Sequence, residues 1–114
     1  MPTLLRSQSS IYASRLFSRR RLDLRAHVVA PHARDGRIIV QARTVDVSCT
    51  GAGLTLTREL PAGTEVMLCL RLPGTGALLS LRATITRRQG FRAGLRFLQT
   101  SAEQRLLLSE LCND

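Results

Sequence analysis

The stretch Thr64-Glu65-Val66-Met67-Leu68-Cys69-Leu70-Arg71-Leu72 decides the fold class. Val66, Leu68, Leu70 and Leu72 recur at every second residue, with Glu65, Met67, Cys69 and Arg71 between them. That is the spacing of side chains on one face of a pleated strand, and a helix would scatter the same residues around its circumference. The pattern repeats downstream: Leu79, Leu81, Ala83 and Ile85 oppose Ser80, Arg82, Thr84 and Thr86, and Phe91, Ala93, Leu95 and Phe97 oppose Arg92 and Arg96. Pro73-Gly74-Thr75-Gly76 separates the first two runs and Gln89-Gly90 the last two, so both connections read as antiparallel hairpins.

Upstream, Ile38, Val40 and Ala42 alternate with Ile39, Gln41 and Arg43, but Val45 and Val47 fall on the opposite parity. A bulge or bend near Thr44 restores the inward face. Arg25 to Ala30 reads as a first strand and Gly53 to Thr57 as a further one, giving about six short strands spaced by turn signals, the pattern of a barrel or sandwich. The chain closes on Thr100-Ser101-Ala102-Glu103-Gln104, a reciprocal helix cap. The helix it opens would turn an apolar face of Ala102, Leu106 and the leucines of 107 to 111 onto the barrel.

With 114 residues the chain has room for one core and none for a multidomain enzyme. All 17 basic residues are arginine, and against 8 acids they give a net charge of +9, which points to a polyanionic partner. The hydrophobic fraction of 44% excludes a disordered basic tail, so the arginines decorate a folded body. No apolar run is long enough to span a bilayer. Cys49, Cys69 and Cys112 are odd in number and far apart, which indicates neither a disulfide framework nor a metal site and suits a cytoplasmic protein, with Cys69 packed in a strand. The first 22 residues hold no acid and carry arginines at 6, 15, 19, 20 and 21 and serines at 7, 9, 10, 14 and 18, and residues 1–18 stand ahead of the domain. They read as a flexible arm or short helix, a composition shared with organellar presequences.

Two constellations carry chemistry. Arg19-Arg20-Arg21-Leu22-Asp23-Leu24-Arg25 contains Arg21-x-x-x-Arg25, and the alternation of Leu22 and Leu24 with Arg21, Asp23 and Arg25 puts both arginines on one side of an extended chain. A planar guanidinium clamps a phosphate or the O6/N7 edge of guanine through two parallel hydrogen bonds. In Asp46-Val47-Ser48-Cys49-Thr50-Gly51, followed by Ala52-Gly53-Leu54, Asp46 and Ser48 point the same way along an extended chain. Carboxylate and hydroxyl suit a guanine edge, and glycine lets backbone approach a ligand. Either constellation also has a plain structural reading, as a solvated basic edge or as a strand ending in a Ser/Thr/Gly turn.

Together, in this order and at this separation, they resemble the PilZ family of bacterial cyclic di-GMP receptors. The resemblance runs over residues 19–112 and takes in Leu54, the Pro61-Ala62-Gly63 turn, Gly94-Leu95-Arg96-Phe97 and the closing helix. It implies an all-β domain: a six-stranded antiparallel β-barrel with a C-terminal α-helix, preceded here by a flexible basic arm. It further implies that Arg21 and Arg25 hold guanine bases and phosphates, that Asp46 and Ser48 contact a guanine from the barrel side, and that Gly51 leaves room for the ligand. Arg20, just before the motif, is implied in taking an intercalated pair of ligand molecules rather than one. Signalling would pass to an effector protein through a change of conformation. No cofactor, metal or catalytic residue is implied: Asp46, Ser48, His27 and His32 lack the spacing of a catalytic triad. The alternative is a basic nucleic-acid-binding barrel, which the charge favours and the aromatic content of 4% does not.

Overall fold

The computed structural model describes residues 19–34 and 36–112. Its strands are β1 (Arg20–Arg21), β2 (Arg25–His32), β3 (Gly36–Val47), β4 (Gly51–Leu56), β5 (Glu65–Arg71), β6 (Leu78–Gln89) and β7 (Arg92–Phe97), followed by the helix α1 (Ala102–Cys112). Neighbours run β3-β2-β5-β6-β7-β4, all antiparallel, and β3 also pairs with β4, so six strands close into a barrel with β1 appended to β3. The expected six-stranded barrel with its closing helix is the observed fold.

Closure depends on the two longest strands. The start of β3 pairs with β2 and its end with β4, with a register shift between Thr44 and Asp46, where the parity of the apolar residues reverses. β6 does the same between β5 and β7, shifting between Ile85 and Arg87. An extra residue on one side of a ladder bends the strand and adds twist, which lets one strand serve two differently directed neighbours. Without the second shift Arg87 would keep the inward parity of Leu81, Ala83 and Ile85; it is exposed instead.

Inside lie Val28, Val40, Val47, Leu54, Leu68, Leu70, Leu81, Ile85 and Leu95, all at most 3% exposed, contributed by every barrel strand as the alternation requires. Cys69 is buried in β5, as expected of it. Two placements differ from the sequence reading. Phe91 is 54% exposed, because Gln89 pairs with Arg92 and the two-residue turn Gly90-Phe91 takes Phe91 out of the strand. Gly90 holds φ +61°, the conformation such a turn demands at its first central residue. In α1 Leu108 and Leu111 are buried and Leu107 packs partly buried against the core, while Leu106 is 61% exposed and Ala102 exposed, since consecutive leucines cannot all share one helix face.

The cap of α1 forms as read: Gln104 N donates to Ser101 Oγ (3.1 Å) and Ser101 N to Gln104 Oε1 (2.8 Å). Gln104 Nε2 also donates to Ser80 O (2.8 Å), tying the helix start to β6. Its other end meets β1 and β3, where Arg20 Nη1 donates to Leu111 O (2.9 Å) and Cys112 Sγ to Val47 O (3.4 Å).

Candidate functional site

The turn between β3 and β4 is built from its own side chains. Ser48 is 1% exposed; its Oγ accepts from Gly51 N (3.1 Å) and Thr50 N (3.2 Å) and lies 3.2 Å from Thr50 Oγ1, while Ser48 N donates to Gly51 O (2.8 Å). The hydroxyl expected to reach a guanine is spent inside the turn. Gly51, expected to leave room for a ligand, faces protein: a Cβ there would stand 2.1 Å from the Leu95 carbonyl oxygen of β7. Ser48 and Gly51 therefore shape the turn that carries Asp46. Gly53, to which the sequence analysis gave no role, leaves space for that carboxylate. Its N–H donates to Asp46 Oδ1 (2.9 Å), and a Cβ on it would lie 2.8 Å from the same oxygen.

The arginine segment is stitched to the outer edge of the β3 bend. Arg20 pairs with Val47 and Arg21 with Asp46 in the short β1 ladder. Beyond it Leu22 N donates to Val45 O (3.2 Å), Leu24 N to Thr44 Oγ1 (2.8 Å) and Thr44 N to Leu24 O (3.0 Å), and Thr44 Oγ1 donates to Leu22 O. Thr44 is 3% exposed, so one buried hydroxyl fixes the chain between Arg21 and Arg25, and only its place beside the bulge hints at this in sequence. Arg43 holds Asp23 through Nε to Oδ1 (2.7 Å) and Nη2 to Oδ2 (3.1 Å). These hydrogen bonds, more than the attraction of the charges, keep the Asp23 carboxyl below its ordinary pKa. Residues 19–24 are thus bound to the barrel, and the arm read at 1–18 lies outside the described residues.

Two neighbouring open grooves flank this junction. One, of about 630 Å³, is lined by Asp46, Gly53 and Thr86 and by four arginines, 19, 87, 88 and 92. Arg19 Nη1 donates to Asp46 Oδ1 at 2.7 Å, and Arg88 pairs with Glu59 at 2.5 Å. Arg87 and Arg92 make no ion pair among the described residues. The other groove, of about 710 Å³, is lined by Arg21, Arg43, Gln41, Thr44, Thr55 and Thr57. Arg25 is exposed at the start of β2 and lines neither of these two, whereas Arg20 is half-buried and directed at the end of α1. The sequence pattern gives Arg92 only an outward place on its strand and Arg87 and Arg88 none at all; Arg87-Arg88 breaking an alternating strand is the signal that could have found them. Among the described residues no His/Cys/Asp/Glu cluster could hold a metal, and no helix is long and apolar enough to cross a membrane.

Comparison with known proteins places this architecture. The crystal structure of the PilZ domain of CeSA from a cellulose-synthesising bacterium is similar at a TM-score of 0.64 and 26% identity, covering 82% of this chain and 93% of that one. The Bacillus subtilis inhibitor of motility MotI/DgrA matches at 0.64 and 16% identity over 82% of this chain and 47% of that one. The PilZ domain of YcgR from Escherichia coli, solved with c-di-GMP, matches at 0.59 and 19% identity over 82% and 88%. No curated protein sequence matches. The family model described as PilZ domain matches residues 14–114, nearly the whole chain and both constellations at the β1–β3 junction, and the protein is a member of the PilZ domain family.

Proposed function

We propose that this PilZ domain is a receptor for cyclic di-GMP, acting by binding and not by catalysis. The observation that carries the reading is the β1–β3 ladder, in which Arg21 stands opposite Asp46, so the arginine segment and the Asp-x-Ser-x-x-Gly turn meet at one place. Further support comes from the solved YcgR domain, which shares the fold and holds c-di-GMP. Arg21 and Arg25 take guanine bases and phosphates, and Asp46 accepts from the N1–H and N2–H₂ edge of a guanine. Ser48 and Gly51 act through the turn that presents Asp46. Arg20 serves the ligand or its intercalated pair when released from Leu111, and Arg87 and Arg92 offer phosphate partners across the groove. A ligand touching the arginine segment and the turn together redraws the surface offered to an effector protein.

Calorimetric titration with cyclic di-GMP, and with cyclic di-AMP as control, tests the reading. Adenine lacks the O6 acceptor and the N1–H and N2–H₂ donors, and each lost bidentate contact costs about 1–3 kcal/mol, so the guanine dinucleotide should bind at least about tenfold tighter. No binding, or equal affinity for both, refutes it. Affinity that collapses with added salt, as phosphate-backbone binding does, would favour the nucleic-acid alternative.

A further inference from the structure

Two of the three thiols meet where the end of α1 touches the β3–β4 turn. Cys49 stands inside that turn and Cys112 is the last residue of the helix; both are half-buried and packed against the core. The Cys112 thiol donates to Val47 O (3.4 Å), two residues before Cys49 in the chain. Next to it Leu111 O accepts from Arg20. The turn that presents Asp46, the residue preceding the arginine pair and the helix end therefore share one contact. Cys69 is buried on β5 against Ser80 Oγ (3.6 Å).

Two neighbouring thiols with no third ligand do not make a metal site, and among the described residues none is present. Their shared chemistry is two-electron oxidation. We propose that Cys49 and Cys112 form a redox-active pair whose oxidation by a peroxide staples the β3–β4 turn to the end of α1. Burial first, then the neighbouring Cys49, with Arg20 acting against them, leave the Cys112 pKa pushed up to about 11, so Cys112 stays protonated and is assigned the second step. The Cys49 thiolate attacks a peroxide oxygen, the O–O bond breaks, and hydroxide leaves as water with the proton Cys49 gave up. Cys112 sulfur then attacks the Cys49 sulfenic sulfur, the S–O bond breaks, and hydroxide leaves with the Cys112 proton. Two thiols and one hydrogen peroxide give one disulfide and two waters; each sulfur gives up one electron and the peroxide takes two. The sulfurs must close to about 2.05 Å, and the terminal residue of a helix is where such a movement is easiest.

The consequence for binding rests on the function proposed above. A stapled helix end keeps the Leu111 carbonyl on Arg20 and withholds that guanidinium from the ligand, so the oxidised protein binds cyclic di-GMP more weakly.

The full chain is treated with hydrogen peroxide and digested with trypsin without reductant. Arginine cleavage leaves the cysteines in separate peptides, 44–58, 59–71 and 106–114. The expected product is the 44–58/106–114 pair, lighter by two hydrogens than the sum of its parts. It should form in the wild type and in Cys69→Ser, disappear in Cys49→Ser and Cys112→Ser, and revert with dithiothreitol. Linkage through 59–71, or no linkage at peroxide levels that oxidise free cysteine, overturns the proposal. In the second arm the oxidised wild type should bind cyclic di-GMP at least about fivefold more weakly than the reduced form, with no difference in Cys49→Ser. Linkage with equal affinity overturns the coupling to Arg20. If even the reduced protein fails to bind, the ligand reading fails while the peptide result still judges the thiol pair.

Discussion

Substituting Gly51→Ala tests whether this glycine serves the barrel or the ligand. The added Cβ would stand 2.1 Å from Leu95 O and 3.3 Å from Leu95 C, where ordinary contact begins near 3.4 Å, and the obstacle is backbone that cannot rotate away. Relief requires β4 and β7 to part at the Gly51/Arg96 register, where Phe97 N donates to Thr50 O (2.8 Å). Overpacking costs about 1–3 kcal/mol and a weakened ladder bond about 1 kcal/mol more, so the loss should be about 2–4 kcal/mol. In a domain of this size that lowers Tm by on the order of 10 °C. Gly94→Ala is the control from the facing strand: its Cβ would find Thr86 Oγ1 at 3.6 Å and Arg87 Cβ at 3.9 Å, ordinary contacts, and the change should be neutral or stabilising by up to about 1 kcal/mol. Thermal and urea unfolding of both variants decide the matter. A Gly51→Ala protein as stable as the parent would refute the packing argument and return Gly51 to the role of making room for a ligand.

Other outcomes follow from the same geometry. Arg21→Ala and Arg25→Ala should each severely weaken cyclic di-GMP binding in a titration while leaving Tm nearly unchanged, because both side chains are exposed. Thr44→Val keeps the shape but strips Leu24 N and Leu22 O of their partner, costing about 1–3 kcal/mol and accelerating amide exchange at residues 22–24; unchanged exchange there would remove Thr44 from the positioning of the arginine segment. Leu108→Ala should cost about 2–5 kcal/mol in chemical unfolding, since Leu108 is fully buried beneath the helix. The Cys112 thiol titrates at 9.0 when unperturbed and at about 11 in the fold, so the folded state holds its proton more tightly. The stability this contributes is present below pH 9 and is lost as pH rises towards 11, and Cys112→Ser should flatten that alkaline decline in unfolding measured across the range.

The parts of this fold that could be read from sequence are those decided by local pattern. Period-two runs located β5, β6 and β7; the parity reversal at Val45 and Val47 located the β3 bulge; Ser101 and Gln104 announced their reciprocal cap. What escaped was decided by tertiary partners. The β1 ladder is two residues long and exists because the free edge of β3 accepts it, and nothing in Arg20-Arg21 alone distinguishes it from loop. Ser48 and Gly51 carry the same spacing whether they face a ligand or close a turn; the Ser48 bonds to Thr50 and Gly51 and the closeness of Leu95 to Gly51 exist only in the fold. Phe91 followed the inward parity but stands in a turn too tight to keep it in the strand. Three consecutive leucines in α1 gave no indication which of them would face the barrel, since that depends on how the helix lies across it.

The ion pair between Arg19 and Asp46 changes what affinity means for this site. A carboxylate already matched by a guanidinium 2.7 Å away is not waiting for a partner, so an incoming base edge enters by exchange. Any measured dissociation constant then contains the opening equilibrium of Arg19 multiplied into the intrinsic one, as it does whenever only a fraction of molecules is competent to bind. With the Asp46 side chain about a quarter exposed and that of Arg19 nearly half, salt in solution loosens the pair. On the proposed reading, ionic strength would act on this site in two opposed directions: it would screen the arginines from the ligand's phosphates while freeing Asp46 for a guanine edge.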